Sequence, residues 1–114
     1  MAHYKHLEFL RQGVRIWNQW RSEYPEEKPV LEVVNLEGAD LEGINFAETN
    51  FIGANLKAAN LRHANLTQAN LTNADLRMAN LTEAECRRIN LSRADLRGAI
   101  LMRANLQEGI LLGT

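Results

Sequence analysis

The chain has 114 residues, 46% of them apolar and 24% charged, with a formal net charge of −1. That length holds one domain or one short repeat array, the composition excludes a disordered segment, and near-neutrality offers no global field for nucleic acid or a membrane surface. A single cysteine, Cys86, excludes an internal disulfide and suits a reducing compartment.

The opening stretch, MAHYKHLEFLRQG, lacks the apolar run and small-residue cleavage site of a secretory leader. No segment approaches the roughly 18 apolar residues of a membrane span, so the expectation is a cytoplasmic protein with no membrane partner. Helical spacing runs from Tyr4 to Arg21: Leu7, Leu10, Val14 and Trp17 form one stripe, broadened by Phe9, Ile16 and Trp20. Gly13 weakens this helix without ending it. Pro25 and Pro29 bracket Glu26, Glu27 and Lys28 and read as a stop followed by a short linker. The expected division is a capping helix over 1–24, a proline-containing linker over 25–30 and a repeat domain over 31–114.

From Leu31 onward the sequence keeps a period of five without an insertion. Leu, or an apolar substitute or Cys86, recurs at every fifth position from Leu36 to Leu111, with a small or apolar residue two places before it. The residue between them is Asn or Asp in all but Glu85, Ile100 and Ile110. Five residues carry a helix through about 500°, so successive leucines would sit about 140° apart. In a flat strand an odd step throws them to opposite faces. Neither element buries the row. A bend after every five residues does, because it turns each Leu and its small partner back inward and winds the chain into a coil. Stacked coils hydrogen-bond at about 4.8 Å. Leu and Ala then fill the axis, and Asn and Asp bond the backbone at the bends.

This tandem A(N/D)Lxx pattern resembles the pentapeptide-repeat family. The resemblance implies an all-β solenoid, a right-handed quadrilateral β-helix of about four coils, here with an N-terminal α-helical cap. The lead-in GVRIWNQWRSEYPEEKPVLEVVNL resembles those of members from photosynthetic bacteria. With Leu7, Leu10, Val14, Trp17 and Trp20 on its apolar face, the cap serves to cover one open end of the tube.

Any function must lie on the surface. With twenty residues per coil, Lys57, Arg77 and Arg97 stack into a basic column beside Asn55, Asp75 and Asp95, close enough for the two acids to neutralise the two arginines. The first coil is acidic (Glu32, Glu37, Asp40, Glu42, Glu48), whereas Arg87, Arg88, Arg93 and Arg103 make the later part mildly basic. Ile100, Met102, Ile110 and Leu112 put apolar side chains in outward slots of the last coil. An uncovered β edge with apolar neighbours invites pairing, and a homodimer through the C-terminal coil is the simplest solution. The resemblance agrees, since some relatives dimerise at that end.

Chemistry is missing from the pattern. Cys86 falls in the core register, the pair His3 and His6 lacks a third metal ligand, His63 has no nucleophile to serve, and an axis packed with Leu and Ala leaves no substrate cavity. The reading is therefore a non-enzymatic interaction or scaffold module with a protein partner and without catalytic residues, cofactor or metal. The competing reading is a DNA-mimic inhibitor of an enzyme such as gyrase, as the resemblance to gyrase-binding relatives implies. Short length and the lack of strong negative charge oppose it. Direct nucleic-acid binding lacks aromatic stacking residues.

Overall fold

The computed structural model describes all residues, 1–114. Two helices come first: α1 spans Tyr4–Arg11 and α2 spans Val14–Glu23. The single helix expected over Tyr4 to Arg21 is thus broken. Gly13 adopts φ 98°, a left-handed conformation that glycine alone enters without steric cost. Its carbonyl still opens α2 by accepting from Trp17 N–H at 3.0 Å. The expected linker is one residue too long, because Val30 already pairs with Asn50 as the first rung of the tube.

Every rung is a parallel bridge between residues twenty apart, from Val30–Asn50 to Asn90–Ile110. Four five-residue units therefore make one circuit. Each side contributes a single paired residue between bends, so the tube is built of isolated bridges and not of long strands. The bend is the same throughout. In the Leu71 unit, the Ala74 N–H closes a four-residue turn on Leu71 C=O at 3.0 Å, and Asn73, its third residue, takes φ 62°. A positive φ there is what a type II turn demands. Glycine fills the position in some units, while others accept Val33, Glu48, Ala58 or Arg93.

The reason for Asn in the repeat follows from a count of backbone donors. In the same unit, Leu71 and Asn73 donate to the next coil (Asn90 and Ser92 C=O, 2.7 and 2.9 Å), Asn70 donates to the preceding one (Thr49 C=O, 2.9 Å), and Ala74 closes the turn. Only Thr72 N–H remains, and it bonds Asn70 Oδ1 at 3.1 Å. One side-chain oxygen thus completes the set, as a buried backbone requires. All thirteen Asn and Asp residues at this position, from Asn35 to Asn105, make that bond.

Inside, Leu56, Leu61, Leu66, Leu71 and Leu76 are fully buried against Ala54, Ala59, Ala64, Ala69 and Ala74. Phe46 and Phe51 replace Leu at the N-terminal end and meet edge to face at 4.7 Å. Phe46 touches Trp17 at 5.4 Å, and Trp17 touches Trp20 at 5.1 Å. An aromatic series thereby joins the helices to the axis, and both tryptophans belong to the same core. No helix is long and apolar enough to cross a membrane.

Candidate interaction surfaces

The helical cap does more than cover leucines. Trp17 Nε1 donates to Asn45 C=O at 2.6 Å, Asn18 Oδ1 accepts from Asn45 N–H at 2.7 Å, and Arg21 donates to Ala47 C=O at 3.2 Å. On the adjoining side, His6 Nδ1 accepts from Val30 N–H at 2.9 Å, and His3 N–H donates to Val30 C=O at 2.9 Å. These are the bonds that a preceding coil would make. Arg21 also donates to Glu27 C=O. Of the residues expected in the cap, Trp17 and Trp20 are buried and Leu7, Leu10 and Val14 half-buried.

Sequence reasoning missed His6, Asn18 and Arg21. A signal existed for one of them: Arg21 falls seven residues after Val14 and four after Trp17, on the apolar stripe itself. Burial, and next the neighbouring His3, hold the His6 imidazole below its ordinary pKa, so it stays neutral and offers Nδ1 as an acceptor. Burial likewise lowers the Arg21 guanidinium. His3 and His6 stack at 4.5 Å, and no group of three metal-ligating side chains exists anywhere in the chain.

The cap replaces the bonds of a preceding coil on only two of the four sides of the first coil, and reaches a third only where Asn18 Nδ2 donates to Gly43 C=O at 3.1 Å. On the other two, the N–H groups of Asn35 and Asp40 and the C=O groups of Asn35, Glu37, Asp40 and Glu42 have no backbone or side-chain partner. Beside them runs an open groove of about 630 Å³, lined by Ala2, Leu7, Leu10, Val33, Val34 and Leu36 among others.

At the far end, the N–H groups of Leu96, Gly98, Leu101, Arg103, Leu106 and Glu108 lack the acceptor that a further coil would supply. Ile100 and Ile110 occupy Asn slots, so the amides of Met102 and Leu112 lose their side-chain acceptor as well. Met102 is 56% and Leu112 77% exposed. The four apolar residues do not form one patch. Ile100 continues the column of Asn60 and Asn80, Ile110 that of Asn70 and Asn90, so they rim opposite sides of the tube. Between these rims lie the ends of Leu96, Leu101, Leu106 and Leu111, only partly covered.

The basic column stacks on bridges Asn55–Asp75 and Asp75–Asp95. Arg77 forks onto Asp75 at 2.9 and 2.7 Å, and Arg97 onto Asp95 at 2.9 and 2.6 Å. Arg97 beside it pulls the Asp95 carboxyl down to about 2, and Arg77 lowers Asp75. Only Lys57 in the column has no carboxylate within reach, which leaves little for phosphate to bind. His63 faces Glu83 at 3.6 Å. Cys86 is buried in the axis, and burial pushes its thiol up to about 12.

The profile described as Pentapeptide repeats matches in eight copies over residues 33–68, 59–98 and 69–107. Among solved structures, a pentapeptide repeat protein (Rfr23) from the cyanobacterium Cyanothece 51142 is 32% identical with TM-score 0.71, over 75% of this chain and 63% of that one. HetL, a pentapeptide repeat protein involved in heterocyst differentiation regulation from the cyanobacterium Nostoc sp. strain PCC 7120, is 34% identical with TM-score 0.52, over 75% and 42%. A further pentapeptide repeat protein from Nostoc PCC 7120 is 38% identical with TM-score 0.51, over 70% and 62%. The chain thus spans less than two thirds of the length of these relatives. Among curated proteins, none matches. With the five-residue period, the twenty-residue rung spacing and these similarities in agreement, the chain belongs to the pentapeptide-repeat family.

Proposed function

We propose that this chain is a non-enzymatic, cytoplasmic protein-interaction module that mates through its C-terminal coil, first with a second copy of itself, and presents its remaining faces to a protein partner. The reading takes the tube as right-handed with about four coils, needs no cofactor or metal, and assigns no catalytic residue. One observation carries it: Ile100 and Ile110 forgo the Asn that completes the backbone bonding of their units, and Met102 and Leu112 stand exposed beside them. Two such losses in a single coil are explained by apolar contact at that end. A two-fold contact would cover both edges at once.

A DNA-mimic role finds no support in the charge: net charge is −1, and the arginines of the column are tied to their own aspartates. The test is solution mass by light scattering over a tenfold or greater concentration range, with Ile110→Asp in parallel. A dimer that the variant turns into a monomer supports the reading. A monomer in both removes self-association from it.

A further inference from the structure

The opposite end of the tube has a second unfinished edge, and its pattern specifies an occupant. Within the tube, each side receives from the coil below it one acceptor for the Asn-position N–H and two donors, one for that residue's C=O and one for the C=O two residues on. The cap imitates the full set on the Asn45 side with Asn18, Trp17 and Arg21, and two of the three on the Val30 side with His6 and His3. On the Asn35 side it supplies none. Asn35 N–H, Asn35 C=O and Glu37 C=O point away from the tube without partners. The backbone of an extended segment, laid parallel to 34–37, carries an acceptor and two donors at that spacing, as each coil does for the next.

The side chains of such a segment alternate in direction. One set meets the groove formed by Leu7 and Leu10 of α1 with Val34 and Leu36, which is mostly apolar, its one lining arginine, Arg11, being paired with Glu8 at 3.6 Å. The other set faces outward beside Glu37, with Asp40 and Glu42 following on the next side; all three are exposed carboxylates that form no ion pair with any base of the chain. Glu32, also on the groove, is already held by the Met1 ammonium at 2.8 Å. Alternating apolar and basic residues thus complement the site, with the backbone supplying the register. A flat approach by the end of another tube is obstructed, because α1 and α2 stand over the adjoining half of the coil.

We propose that the Asn35 edge and the groove beside it bind an extended basic segment of another polypeptide, added to the first coil as one further side. This site is independent of the C-terminal coil. The probe is a short labelled peptide alternating lysine and leucine, titrated into the full chain and followed by fluorescence anisotropy. Controls are the same peptide with alternate backbone nitrogens methylated and a version with glutamate for lysine. Each control is expected to bind about tenfold more weakly, as is the peptide to the double variant Glu37→Lys, Glu42→Lys, whose exposed positions leave the core untouched. Amide exchange gives a second readout: peptide should slow the Asn35 amide and leave that of Asn55, already bonded to Val34 C=O, unchanged. Absence of binding at about 1 mM peptide, equal affinity for the methylated peptide, or protection confined to the C-terminal coil would overturn the proposal. So would a dimer that Glu37→Lys, Glu42→Lys abolishes while Ile110→Asp preserves it, since the occupant would then be a second copy.

Discussion

Replacing Trp17 by Ala tests whether the cap holds the tube closed. The side chain is fully buried, touches Trp20 and Phe46 edge to face, and binds Asn45 C=O. Deleting a buried Trp costs about 3–5 kcal/mol, and leaving the carbonyl without its donor adds about 1 kcal/mol. A chain of this size has about 5–15 kcal/mol in all, so the variant should lose at least a quarter of its stability. Trp17→Phe separates the two contributions: an aromatic ring remains, the donor is gone, and the loss should shrink to about 1–2 kcal/mol. Urea denaturation followed by circular dichroism measures both, with Trp20 fluorescence as an independent probe. Hydrogen exchange then locates the damage, since Asn45 and Val30 amides should open before those of Leu71 or Leu76. A loss below about 1 kcal/mol for Trp17→Ala, or unchanged exchange at Asn45, would refute the idea that the helices replace a missing coil.

Four further outcomes are expected. Val33 is β-branched at φ 59° and 70% exposed, so Val33→Gly should stabilise by about 1 kcal/mol in urea denaturation. Leu71→Ala should cost about 3 kcal/mol by the same measurement, and Leu71→Asp should leave no folded protein because the charge has no partner in the axis. The folded-state pKa of His6 is depressed, so its contribution is present above about pH 6.5 and is lost as pH falls through the folded value. A melting temperature that drops as pH is lowered from above to below about 6.5, the ordinary histidine value, in the wild type but not in His6→Gln would show it. Cys86 should react with a thiol reagent only after denaturant is added, because its thiol is buried and its pKa is about 12.

The repeating part of the fold was legible because its cause is local. A five-residue period forces a bend every five residues, and the Asn at each bend has a donor only two residues away. The break at Gly13 was not legible: helical spacing continues across it, and only the docking of two short helices on one coil selects the kink. The capping bonds of His6 and Asn18 join residues more than twenty positions apart, and nothing in local spacing marks them. Arg21 on the apolar stripe was the one visible hint. For the basic column, the pairing of Arg77 with Asp75 was readable from a two-residue gap that both side chains span. The apolar quartet was recognised in sequence, but its division between opposite rims depends on which columns Ile100 and Ile110 extend.

The bonds between coils all run along the tube, which has a mechanical consequence. A pull on the two ends loads them in line and a few at a time, so the tube should unzip coil by coil and not shear as a block. Each coil holds twenty residues, and peeling one releases about 65 Å of chain at about 3.3–3.6 Å per residue, less one coil spacing. Peeling should begin at Thr114, because the aromatic series through Trp20, Trp17, Phe46 and Phe51 clamps the other end. A force–extension trace of this small protein would then read as a staircase with steps of one coil, descending from the end opposite the helices.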